Sequence, residues 1–270
     1  MPHTTAWMTV TPNAGLGQRL ENTDYRLLMN WWLGRALLPT RDGPAVCPHC
    51  EGAADSFGDH FVSCKHNQPV QRHHALRDAL HGVLTEQGIS ASKEVTVSEH
   101  RRPADLALHN FDARGQVAVD LVVHHPLGLS AALSGDPKAS LRRAEEEKTL
   151  ASEALCHSVG WLFTAMGWHP WAGLGPRGTT LLRKLEGLVT TGQTGWLKTS
   201  SILSLRSRLS FALMAFVAKQ LRAVEDTILQ PALLPPSDAT TAAVPVGPLF
   251  SDQDLGAWET EEPFLSADLA

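Results

Sequence analysis

Very few residues of this 270-residue chain carry reactive sulfur or a phenol: there are four cysteines and a single tyrosine, Tyr25. Four cysteines are too few for a disulfide framework, and three of them fall within one short stretch, which points to a reducing compartment. No apolar run approaches the length of a membrane span. The opening MPHTTAWMTVTPNAG lacks a basic segment followed by an apolar one, so no secretory signal is expected. No internal repeat is present, which argues against a solenoid. Basic residues are missing altogether from 231–270, a Pro/Ala/Thr-rich stretch with seven acids that reads as a disordered acidic tail. The net charge of −5 therefore misleads, because the first 230 residues hold 23 Lys and Arg against 21 Asp and Glu. Such a body can accept an anionic partner without being a bulk polycation.

What is present is concentrated. Cys47, Cys50, His60 and Cys64 read C-x2-C-x9-H-x3-C. Two cysteines two residues apart form half of a tetrahedral grip, and a His and a Cys one helical turn apart form the other half. The spacing predicts a structural Zn2+ site, with Asp59 placed to orient the imidazole. Residues 18–38 read as an amphipathic helix stopped by Pro39. A second helix over about 70–88 has Ala75, Leu76, Ala79, Leu80, Val83 and Leu84 on its buried face. Strands are expected at KEVTV, PADLALH, QVAVDLVV and GWLFTAM, with a helix over about 138–157 before the last of them. Helices near 179–190 and 200–229 close the folded part. The order helix–strand–strand–strand–helix–strand predicts the α/β class, a mixed four-stranded sheet flanked by helices.

Two acids stand where apolar residues belong. In VAVDLVV, Asp120 interrupts a strand that is apolar on both faces, and a lone carboxylate there is costly unless paired or metal-bound. If the hairpin from Asn110 to Gly115 turns between Asp112 and Ala113, residues whose numbers sum to 225 face each other, and Asp105 and Asp120 are such a pair. Two carboxylates that close share a proton or a cation, and a hard ion such as Mg2+ is the natural occupant. The alternative is that Asp105 merely starts a strand and Asp120 sits near an edge. On the following helix Leu141, Ala144, Lys148, Ala151 and Leu155 share one face. Lys148 is then either a snorkelling side chain or a cation held over the two aspartates. Glu145, Glu146 and Glu147 read as a mostly solvated face.

Taken together, CPHC…GDHFVSCKH, QRHHALRDAL, RRPADLAL, VAVDLVVHHPL, AEEEKTLASEALC and GWLF resemble the C-terminal part of site-specific non-LTR retrotransposon polyproteins, from about Leu33 to Leu221. There a zinc knuckle precedes a restriction-enzyme-like endonuclease of the PD-(D/E)XK type. The resemblance implies Asp105 and Asp120 as ligands of a catalytic Mg2+ or Mn2+, and Lys148 as the catalytic lysine, displaced from the strand because Val122 stands at the strand position. It offers Glu94 as a further acid, with Glu86 as the alternative. Arg72 and His73 match an Arg-His pair and, with Arg101 and Arg102, are candidates for contact with nucleic acid; helix capping or packing is the competing role for the first two. His125, in HHPL, matches as well. The resemblance divides the chain into 1–40, similar to the end of a polymerase thumb, a zinc knuckle over 41–70, an endonuclease domain over 71–230 and the tail. No Tyr-x-Asp-Asp occurs, so no polymerase site is expected. The implied partner is DNA, with RNA as the second candidate and no membrane, and the implied location is the nucleus. A catalytically dead nucleic-acid-binding remnant and a zinc-stapled interaction protein are the competing functions.

Overall fold

The computed structural model describes residues 5–15, 17–38, 45–97, 102–112, 115–125 and 137–228. The tail over 231–270 and Arg101 lie outside the described residues. Four strands, β3 (Ala91–Val95), β4 (Ala104–Asp112), β5 (Gly115–Val123) and β6 (Leu162–Trp168), form one sheet in the order β3-β4-β5-β6. The first two pairings are antiparallel and β5–β6 is parallel, so the sheet is mixed. A parallel pair needs a crossover, and helix α4 (Pro137–Ser158) supplies it. The α/β class and the four-stranded mixed sheet are as the sequence predicts.

Residues facing each other across β4 and β5 sum to 225 at Leu106–Val119, Ala107–Ala118 and Leu108–Val117. Nearer the hairpin the register shifts, and Asp112 faces Gly115 instead. The irregularity lies between Leu108 and Asp112, where Asn110 takes a positive φ of 54°, a conformation asparagine tolerates better than most residues. The turn thus differs from the simple hairpin, while the register beside the aspartates does not.

The two faces of the sheet are packed differently. Leu106, Leu108, Val117, Val119 and Leu121 belong to the main core with α3 (Pro69–Glu86), α5 (Pro176–Val189) and α6 (Gly195–Ile228). On the other face Ala118 and Ala165 meet Phe163 of β6 and Cys156 of α4. Small side chains there admit the helix close to the strands. The main core also takes in Trp7, and Leu28 and Trp31 of α1 (Asn22–Trp32), so the N-terminal segment shares one core with the sheet and does not form a separate unit. Helix α1 is shorter than the 18–38 expected.

Helix α6 is long and apolar enough, by length and composition, to cross a membrane, but half of that stretch is buried inside the protein, where the helix packs on α1 and α3. Arg206 and Arg208 interrupt its apolar run. Each has a carboxylate partner, Glu186 at 2.5 Å and Glu86 at 2.5 Å. Glu86, the alternative to Glu94 as a further acid, is therefore committed to α6.

Helix α4 departs most sharply from the sequence expectation. Leu141 and Ala144 are buried as expected, but Ala151 is exposed and the buried stripe continues through Glu145, Thr149, Ser152 and Cys156. Glu145 is only 1% exposed. Its Oε1 accepts from the backbone N–H of Gly167 at 3.0 Å and of Gly178 at 2.8 Å, and its Oε2 accepts from that of Arg177 at 3.0 Å. Two of those donors open α5, where unpaired N–H groups and the helix dipole favour an anion. A β-carbon at Gly175 would overlap Glu145 Oε1. Glu145→Ala, which strands three backbone donors, is expected to cost about 2–4 kcal/mol. Gly175→Ala, at an unstrained φ of −71°, is expected to cost about 1–3 kcal/mol from the clash alone. Denaturant midpoints measure both; a neutral Gly175→Ala would show that the carboxylate can swing away.

Candidate functional site

Residues 45–64 fold around sulfur. A short hairpin pairs β1 (Ala45–Val46) with β2 (Ala53–Ala54), and α2 (Asp59–Ser63) follows. The turn between the strands is closed by Glu51 N–H donating to Cys47 O and Cys47 N–H donating to Gly52 O, both at 2.9 Å. That brings Cys47 and Cys50 to one side. Asp55 accepts from the backbone N–H of Phe57, Gly58, Asp59 and His60, fixing the start of the helix that carries His60. These four bonds outweigh the burial that would raise Asp55 and leave its carboxyl below the usual range.

The ligand atoms of Cys47, Cys50, His60 and Cys64 all lie within 4.8 Å of one another. Cys47 Sγ is 3.9 Å from Cys64 Sγ, and Cys50 Sγ is 3.2 Å from His60 Nε2. Metal–ligand bonds of roughly 2.0–2.3 Å around a tetrahedral ion give separations of this size, so the cluster can hold zinc. Burial, with the adjacent sulfurs, pushes the Cys64 thiol up to about 11, whereas the Gly52 backbone contact is the main cause that lowers Cys50. Three sulfurs crowded together are costly as thiolates without a cation. The module has its own small core of Leu38, Phe61 and Ala54, closed by Val224 of α6.

Asp59 does not orient His60. Its Oδ1 accepts from Trp31 Nε1 at 2.9 Å and lies 3.6 Å from His125 Nε2. Trp31 in turn stacks on Trp171, with centroids 4.7 Å apart and planes 3° from parallel. The helix bearing a candidate zinc ligand is thereby tied to α1, to the end of β5 and to the loop after β6. His125, of the HHPL motif, is buried in this junction.

The second constellation lies on the α4 face of the sheet. Asp105 and Asp120 are in side-chain contact across β4 and β5, and Lys148 Nζ donates to Asp120 Oδ2 at 3.0 Å. Asp105 Oδ2 accepts from Leu121 N–H at 2.6 Å, and its Oδ1 lies 2.8 Å from His73 Nε2. The structure thus brings Asp105, Asp120 and Lys148 together, as the strand arithmetic and the helix face anticipate. His73, a candidate for contact with nucleic acid, instead holds the first carboxylate.

The two acids are driven apart. Burial foremost, then the adjacent Asp105 carboxylate, pushes Asp120 up to about 7, with Lys148 opposing. Burial also acts to raise Asp105, but the His73 contact and the Leu121 N–H overcome it and leave that carboxyl below its usual range. In the folded protein the charged form of Asp120 is disfavoured. The penalty is absent below about pH 4, grows as pH rises, and is complete above about 7. Asp120→Asn removes it, so the thermal midpoint of the variant should gain on wild type as pH rises from about 4.5 to 8. A wild type that gains on the variant over that window would contradict the assignment.

Three other residues that the sequence offers for the site are placed elsewhere. Glu94, at a positive φ of 54°, gives its two carboxylate oxygens to Arg77 at 2.8 Å and Arg102 at 2.7 Å, so it is not presented as a metal ligand. Arg102 is exposed and bound there. Arg72 is only 4% exposed and donates to Val62 O at 2.6 Å and Gln220 Oε1 at 3.0 Å. Burial lowers it to about 10. It joins α3 to α2 and α6 and does not face a phosphate. No family model matches the chain, and no curated protein matches it.

Proposed function

We propose that this protein is a divalent-metal-dependent DNA endonuclease of the restriction-like PD-(D/E)XK kind, carrying a structural Zn2+ on Cys47, Cys50, His60 and Cys64, as its resemblance to non-LTR retrotransposon polyproteins implies. The observation that carries the reading is the pairing of half-buried Asp105 with buried Asp120, with Lys148 3.0 Å from the second acid. The element order, α3-β3-β4-β5-α4-β6, is the helix–strand–strand–strand–helix–strand order expected from the sequence. Two acids in contact with a single lysine beside them are poised for a second, harder cation. Mg2+ or Mn2+ held by the two carboxylates would supply Lewis-acid polarisation of a phosphodiester and a nucleophile from bound water.

The chain's own groups supply the rest. His73 and the Leu121 N–H fix one carboxylate, leaving Asp120 to exchange its proton for the metal. Lys148, side chain 40% exposed, can shift from Asp120 toward charge developing on the phosphate. The zinc module, with Lys65 and His66 exposed beside Cys64, is suited to the phosphate backbone. DNA is the proposed partner and RNA the second candidate. A nicking assay on supercoiled plasmid with Mg2+, Mn2+ or chelator tests the reading. Cleavage only with metal is expected.

One observation favours a second reading, a catalytically dead, zinc-containing nucleic-acid-binding remnant: Glu94, the further acid, is neutralised by two arginines. Salt-sensitive retention on DNA without nicking under any metal would establish that alternative.

A further inference from the structure

We propose that a cavity beneath α5, on the face of the sheet opposite the two aspartates, binds a small amphipathic carboxylate. Val117 of β5 and Leu162 of β6 are register partners and share that face, whereas Asp120 points to the other. With Phe111 near the end of β4 and Leu181 of α5 they wall a cavity of about 360 Å3. Arg177 and Lys184 stand at its rim. They are seven residues apart on α5 with Leu181 between them, so all three lie along one side of the helix. The apolar walls are buried or half-buried, and both cations are exposed. An apolar chamber with two like charges at one lip selects a ligand with an apolar body and an anionic head.

The alternative is that the two stems simply lie over apolar surface. Size narrows the ligand. Decanoate, with about twelve non-hydrogen atoms, is small enough for a cavity of this volume. The site is independent of the endonuclease reading, since Val117 and Leu162 wall it from the face of the sheet opposite Asp120.

Isothermal titration of the full chain with decanoate, decanol and inorganic phosphate tests it. Decanoate is expected at one site, at least ~10-fold tighter than decanol, and phosphate should not bind measurably. The exposed-residue variants Arg177→Gln and Lys184→Gln should together weaken decanoate by about 10-fold and leave decanol unchanged. Thr164→Phe, which fills the chamber, should abolish both, with thermal midpoints confirming that each variant is folded. Equal binding of decanoate and decanol overturns the proposal. So does decanoate binding indifferent to the double variant, phosphate binding as tightly as decanoate, uptake at many sites, or no saturable heat up to about 1 mM.

Discussion

Asp120→Asn is expected to lower metal-dependent nicking by at least about 100-fold while leaving retention on DNA intact. The size follows from what the side chain does in the site. Asp120 is the acid that burial and Asp105 hold near neutral pH, and it receives the Lys148 ammonium. An amide keeps the shape, loses the charge that attracts the metal, and no longer needs the lysine. Stability is not the casualty, because the buried charge disappears and the variant gains thermal stability above neutral pH. Lys148→Gln is the companion: it should slow cleavage by about 10- to 100-fold and weaken Mn2+ binding little, since the lysine is not a ligand. Full activity in Asp120→Asn would move the chemistry to another site. A wild type that never nicks would leave the carboxylates as a relic and favour the binding remnant.

Stripping zinc should have the largest structural effect. Purified protein is expected to hold about one zinc per chain. Cys47→Ser should weaken zinc binding by at least ~100-fold, because Cys47 is fully buried and no water can replace its sulfur without being sealed in. The 45–64 module has too few apolar residues to fold unaided, so hydrogen exchange there should rise to that of unfolded chain on metal loss. The disturbance should spread along identified contacts. Val224 closes the module's core, and Asp59 binds Trp31, so the end of α6 and the middle of α1 should lose protection next. Full zinc content in Cys47→Ser, or none in wild type, would refute the ligand set.

The strand register beside the aspartates is legible in the sequence because it follows from one number, the turn position, and from alternation. The bulge at Asn110 escapes because it shifts the register only near the turn. The zinc ligands are legible from spacing alone, since metal geometry is local in sequence. Glu145 is hidden for the opposite reason. Within EEE it looks like one of three solvated acids, and its partners are N–H groups from residues 167, 177 and 178, which only the tertiary fold gathers. Arg72 does not belong with the nucleic-acid contacts, and its spacing holds the signal. It lies four residues before Leu76 and eight before Leu80, on the stripe that packs inward. Equating charge with exposure overrides that periodicity. His73 and Glu94 stand out for chemistry in the sequence, but which carboxylate or guanidinium each meets depends on how α3 docks on β3 and β4.

The Glu145 cradle also constrains how this protein can drift. A β-carbon at 175 would overlap the Glu145 carboxylate, and one at Gly167 or Gly178 would press on the same side chain, 3.0 Å from its Cγ and 3.3 Å from its Oε1 respectively. Gly175→Ala ahead of a shorter residue at 145 therefore passes through a strained intermediate, which the opposite order avoids. Lys148 sits one turn further along the same helix. A lineage that abandoned the acid would lose the peg that sets how far α4 slides along the sheet, and with it the placement of the ammonium over Asp120.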